Sequence, residues 1–345
     1  MKKVMYTITI IIILLLSNIA CSKNSVFDKI AEVSNNCDKR KTTLPDTVVK
    51  TCFNVLAIGN SLSNDALGYT PFLLREVCPD KDINLNILYR GATTLRKHWE
   101  LIDKGLNEHV LERCSISDEC WQKEDSVMGG DIIKSQQWDL VVLQQGSTTA
   151  HSYDDTQPFI RLFANYIHTL SPETPIAYMF CQSRVAYSTE SALYGKKTDE
   201  VWDMQAKLAY RLLEEHEIDY VIPCGTAIQN ARQTRLDSLG KGGHLTYDGT
   251  HLQEGLPCMV DAYTSTQSIL NILSINAIIK NSTLRVSDAW GSKTKIPGRN
   301  GSCITGTDVD YALSLQCALK AIYAPFIITD TNSIDTGIYT PSVDN

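Results

Sequence analysis

"VLAIGNSLSND", Val55 to Asp65, passes without a break from an apolar run into the small polar residues Gly59-Asn60-Ser61. A continuous apolar run of this length suits a strand buried on both faces of a sheet. The run covers Phe53–Ile58, and Leu85–Leu88, Leu140–Leu143, Ile176–Phe180 and Tyr220–Ile222 share its character. Between these runs the periodicity is helical. It is clearest in Thr198–His216, where Trp202, Ala206, Ala209, Leu212 and Leu213 recur at helical spacing. Pro257–Ile279 and Val309–Tyr323 read as further helices. The alternation predicts an α/β domain with a roughly five-stranded parallel sheet and helices on both faces. Ligands of such sheets bind beyond the carboxyl ends of the strands, where Ser61 falls.

The 345 residues are 43% hydrophobic, enough for a sizeable core, and one domain over residues 51–328 accounts for the pattern. A polar tether is expected over residues 22–50 and a polar tail over residues 329–345. The formal charge of −7 argues against a nucleic-acid partner, and no polybasic patch suggests a lipid surface. Residues 1–21 resemble an export signal: Met1-Lys2-Lys3 is followed by the apolar stretch Val4–Leu16 and then by Ser17-Asn18-Ile19-Ala20-Cys21. A small residue directly before Cys21 resembles the bacterial lipobox, with Asn18 departing from its usual leucine. The resemblance implies a lipid anchor on Cys21 and a place at the cell envelope. A plainly cleaved signal peptide is the alternative.

Eleven cysteines leave ten once Cys21 is set aside, an even number compatible with disulfides in an oxidising compartment. Cys114 and Cys120, flanking a short acidic loop, are the first pair expected. No CxxC pair supports a zinc ribbon or a thioredoxin-like motif.

A serine hydroxyl becomes a useful nucleophile only beside a base that a third group orients. Of seven histidines, His98, His109, His168 and His216 lie in helix-like or charged segments and read as surface residues. His151 follows the third strand, and His244 and His251 lie in "GGHLTYDGTHLQEG". Asp248, three residues before His251, has the spacing to hold the imidazole. The same spacing also suits a cap for a helix starting near Glu254.

The order of these segments resembles the SGNH (GDSL-like) hydrolases. "IGNSLSND" stands at the family's first block, with Asn60 for the commoner aspartate; "YRGATT" (Tyr89–Thr94) supplies the second-block glycine; "DGTHL" (Asp248–Leu252) matches the last block. "LQQGS" (Leu143–Ser147) and "IPCGTAIQNAR" (Ile222–Arg232) resemble a subgroup of secreted bacterial members. The resemblance implies a three-layer α/β/α sandwich of flavodoxin-like form. It also implies a cofactor-free serine esterase in which Ser61 attacks, His251 carries the proton and Asp248 holds the imidazole. The oxyanion donors it implies are the Ser61 N–H, the Gly91 N–H and a third-block asparagine side chain. That asparagine is absent, and Gln145 is the expected substitute, its amide on a stem one methylene longer. The alternative is that Gln144 and Gln145 both cap the strand end. The α/β-hydrolase elbow is excluded, because Ser63 stands where its second glycine would be.

Asp65 reads as structural, either capping the next helix or tying down the Ser61 turn. Gln229, Asn230 and Arg232 read as anchors of the Asp248–His251 loop, with substrate binding as their alternative. Trp99, Tyr153, Tyr187 and Trp202 read as packing, with sugar stacking as theirs. The resemblance and the export signal together point to acyl, especially acetyl, esters on carbohydrate as substrate. Two other readings are a glycan-binding lipoprotein on an inactive fold and a metal-dependent hydrolase using His244, Asp248, His251 and Asp65.

Overall fold

The computed structural model describes residues 50–240, 244–280, 282–286 and 303–329. The export signal, Cys21, Cys37, nearly all of the tether and residues 330–345 of the tail lie outside the described residues. In chain order the elements are β1 (Cys52–Gly59), α1 (Ser61–Leu67), α2 (Thr70–Val77), β2 (Asp82–Tyr89), α3 (Leu95–Asp103), β3 (His109–Ser115), β4 (Gln122–Val127), α4 (Gly129–Lys134) and β5 (Leu140–Leu143). There follow α5 (Tyr153–Leu170), β6 (Ile176–Met179), α6 (Thr189–Tyr194), α7 (Thr198–Glu214), β7 (Tyr220–Ile222), α8 (Cys224–Arg232), α9 (Leu256–Ile272) and α10 (Asp308–Tyr323).

The strands form one sheet in the order β4-β3-β2-β1-β5-β6-β7. All five expected strands are present, and they are parallel to one another. β1 lies between β2 and β5, so the chain leaves it in both directions and opens a crevice at its carboxyl end. Its alternate residues feed two cores. Val55 and Ala57 pack on one face with Leu62, Leu67 and Met259 from α1 and α9. Leu56 and Ile58 pack on the other with Leu95, Phe163, Leu208 and Ala209 from α3, α5 and α7. Burial on both faces is why the strand reads as unbroken apolar sequence.

The sheet is larger than the expected five strands. β3 and β4 add an antiparallel hairpin beyond β2. Its outer strand, Gln122-Lys123-Glu124-Asp125-Ser126-Val127, is exposed except at Val127, so it carries no apolar signal. Charge on an edge strand discourages pairing with another chain, and it also hides the strand from a hydropathy reading. The acidic loop between Cys114 and Cys120 is the turn of this hairpin. The two cysteines are free thiols rather than the expected disulfide. Cys114 is buried in the core, and the Cys120 sulfur instead accepts from Gln122.

Two further expectations are corrected. The helix expected over Pro257–Ile279 stops at Ile272, because Ser274 takes a left-handed conformation (φ 55°). The chain then folds back on α9, where Gln267 donates to Ala277 O (3.1 Å) and accepts from Ile279 N (2.9 Å). His98 and His109 are not surface residues. Both are fully buried, their rings stacked with centroids 5.2 Å apart and a 3.1 Å contact between His109 Nε2 and His98 Nδ1. Burial holds His98 down to about 3 and His109 down to about 4.

Candidate active site

Ser61 is the first residue of α1, directly beyond β1. Asn60 caps that helix: its Oδ1 accepts from Leu62 N (3.0 Å), and its Nδ2 donates to Thr93 O (2.9 Å). The carbonyl end of the Gln144 side chain accepts from Asn60 N and from Ser63 Oγ, each at 3.0 Å. This close approach requires Gly59. A Cβ there would lie 2.2 Å from Ser63 Oγ and 2.6 Å from Gln144 Oε1. Gly59→Ala is expected to cost about 1–3 kcal/mol through overpacking. It should also displace Ser61, so thermal melting and ester hydrolysis should fall together.

The Asp248–His251 turn arrives from the far end of the chain. Asp248 Oδ1 accepts from Thr250 N (2.9 Å) and His251 N (2.7 Å), while Oδ2 lies 2.6 Å from His251 Nδ1. Partial burial pushes the Asp248 carboxyl up, but the hydrogen bonds from the His251 ring and from the two amides outweigh it. The group therefore sits below its ordinary range. A carboxylate can only accept, so the proton is on Nδ1 and Nε2 is left to accept. The Ser61 hydroxyl is 2.7 Å from that Nε2. Gly249 makes the turn possible: its φ is +87°, and a Cβ would lie 2.7 Å from the Ser188 Cβ.

A layer of polar side chains holds the turn against α1. Asp65 Oδ2 accepts from Leu252 N (2.9 Å) and from Gln182 Nε2 (3.2 Å), and Gln182 also donates to Thr250 O (2.8 Å). Arg184 Nη1 donates to Thr250 Oγ1 (2.5 Å); its Nη2 reaches Ser147 Oγ and pairs with Glu190. Beneath them Arg232 grips Ser183 through its hydroxyl and its carbonyl, both at 2.8 Å, and bonds to Gln229 Oε1 (3.0 Å). Burial lowers the Arg232 guanidinium to about 10. Asp65, Gln229 and Arg232 thus stand where bracing residues would. Asn230 instead ties α8 to α10 and to Thr329, donating to Cys317 O and accepting from Thr329 N. Sequence reasoning missed Gln182 and Arg184. Their only signal is that polar residues follow the end of β6.

Gly91 lies on an exposed turn beyond β2. The turn is fastened to the serine by the Asn60–Thr93 bond and by Arg90 N donating to Gly59 O (3.1 Å). Gln145 is not placed as an oxyanion donor. Its Oε1 accepts from Leu95 N (2.9 Å) and Gly146 N (2.8 Å), and its Nε2 donates to Thr156 Oγ1 (3.0 Å) and Asp155 O (3.3 Å). Both amide hydrogens therefore face the start of α5. The Gln144 amide donates to Gln145 O, so that residue turns its oxygen, not its nitrogen, toward the Ser61 turn. Both glutamines thus tie the end of β5 to neighbouring loops, as the alternative reading expected.

The aromatic residues divide. Trp99 packs edge-on against Phe163 and Tyr166, Trp202 is buried, and Tyr153 lies under Arg211. Tyr187 is exposed and rests against His244. His151 packs against Tyr194. Among the described residues no three His, Cys, Asp or Glu side chains are grouped to hold a metal ion.

Residues 54–295 match the family profile described as "Domain of unknown function (DUF4886)". A crystal structure of a DUF4886 family protein from Bacteroides uniformis is 21% identical with a TM-score of 0.64, covering 81% of this chain and 98% of its own. An acetylxylan esterase from Geobacillus stearothermophilus, Axe2, is 12% identical with a TM-score of 0.42, covering 68% of this chain and 99% of its own. The fold, an α/β domain with a mostly parallel seven-stranded sheet, is shared with that DUF4886 structure. A search of curated proteins finds no match.

Proposed function

The chain belongs to the DUF4886 family, and we propose that it is a serine esterase acting on acyl, chiefly acetyl, esters of carbohydrate. The observation that carries this reading is the continuous line from Ser61 Oγ to His251 Nε2 (2.7 Å) and from His251 Nδ1 to Asp248 Oδ2 (2.6 Å). Ser61 attacks the ester carbonyl as His251 takes its proton. The imidazolium so formed is held by Asp248, which stays ionised. The N–H groups of Ser61 and Gly91 receive the oxyanion; donors fixed in advance at such a position contribute ~3 kcal/mol each. His251 returns its proton to the leaving alcohol, and a water activated by the same ring releases the acid and restores Ser61.

The resemblance of the motifs to SGNH hydrolases supports acetyl esters, and the export signal expected over residues 1–21 supports carbohydrate, since an envelope enzyme anchored at Cys21 would meet glycans rather than cytosolic metabolites. The test is acetate release from aryl acetates and a panel of acetylated glycans, with Ser61→Ala beside the unaltered protein. Release that survives Ser61→Ala would overturn the mechanism. The placement of Gln145 favours a second reading, a glycan-binding protein of little activity. It wins if an acetylated glycan binds without losing acetate and Ser61→Ala binds it equally.

A further inference from the structure

We propose that Tyr187 and Tyr247 form a stacking platform for the pyranose rings of a neutral saccharide beside Ser61. This rests on the esterase reading for its purpose but not for its test. Among the described residues three aromatic side chains are strongly exposed, and two of them, Tyr187 (53%) and Tyr247 (62%), flank the one Asp248–His251 turn. An exposed aromatic ring forgoes burial that the core would reward, so two at one turn are unlike scattered surface residues.

Each ring is braced from behind. Tyr247 lies nearly parallel to the His251 ring, at 17° and 5.7 Å between centroids. Tyr187 rests on His244 at 4.9 Å and lies against Gly249, where a Cβ would come within 3.2 Å of its Cε2. Its hydroxyl reaches Thr246 Oγ1 at 3.4 Å. Braced rings lose little side-chain freedom when a ligand stacks on them.

The chemistry selects the ligand. Tyr247 is followed on the turn by the exposed carboxylate of Asp248, so the turn does not offer the continuous apolar surface that an acyl chain or lipid would need. Flat apolar faces edged by hydroxyls match a sugar ring, which has C–H faces and hydroxyl edges. Arg184, which bonds to Thr250 of the turn, is already paired with Glu190, and the chain carries a formal charge of −7. Both features disfavour an anionic polymer.

The test is calorimetric binding to the Ser61→Ala protein, which retains its ligand whether or not the unaltered chain is an esterase. The probes are acetylated cello-oligosaccharide, which is uncharged, oligogalacturonate, which is anionic, and phosphatidylcholine vesicles. Tyr187→Ser and Tyr247→Ser are each expected to weaken the uncharged probe about tenfold, while Tyr187→Phe and Tyr247→Phe keep the affinity. Thermal melting confirms that each variant is folded, and Tyr187→Leu and Tyr247→Leu replace any serine variant that is not. Unaltered affinity in the serine or leucine variants would overturn the platform. So would absence of binding to the uncharged probe, or preference for the anionic probe or the vesicles. Failure of the esterase reading would appear separately, as absence of acetate release by a protein that still binds.

Discussion

Ser61→Ala and His251→Ala are each expected to lower the kcat/KM for aryl acetate hydrolysis by about 10⁴-fold or more, and combining them should cost little further. The non-additivity follows from the geometry. The hydroxyl and Nε2 share one proton across 2.7 Å, so removing either disables the same step. Asp248→Asn should cost a similar factor for a different reason. Asparagine can donate to Nδ1, which would move the ring proton to Nε2 and point it at the serine oxygen. A loss near tenfold in Asp248→Asn would show that the carboxylate does not set the tautomer. Steady-state kinetics of these variants beside the unaltered protein decide both points.

Acidification below pH 6.5 is expected to destabilise the protein through His98 and His109, against an opposing proton uptake by Glu112, whose carboxyl burial raises to about 7. Burial lowers both histidines from an ordinary value of 6.5, to about 3 and about 4 respectively. The unfolded chain therefore binds protons that the folded chain refuses. The contribution to stability is complete above pH 6.5 and is lost as pH falls toward the folded values. At pH 5 the loss amounts to roughly 2 kcal/mol for each histidine. Urea unfolding between pH 7 and pH 5 should show it. A His98→Leu/His109→Leu protein that remains folded should lack this loss. An equally steep loss in that protein would place the proton uptake elsewhere.

The two histidines also show where reading the chain fails. His98 shares α3 with Arg96 and Lys97, and His109 follows Glu108, so local composition marks both as surface. Their burial depends on α3 packing over β1 and on β3 extending the sheet, and neither is a local property. The β3–β4 hairpin is illegible for a related reason: an exposed charged edge strand has the composition of a loop. The Cys114–Cys120 expectation failed with it, because proximity in sequence does not fix where a hairpin points its side chains.

Hydropathy alone was sufficient for the five parallel strands, because a strand buried on both faces must be apolar at nearly every position. Local sequence likewise marked the Ser61 turn and the Asp248/His251 pair, because a strand-end turn and an i, i+3 contact are set by short stretches of backbone. Only the tertiary structure brought Ser61 to His251, across 190 positions of chain, and only it decided the work of the two glutamines. Gln144 steadies the serine turn, and Gln145 binds the starts of α3 and α5. An amide's role depends on which donors and acceptors surround it, and those come from elements distant in sequence.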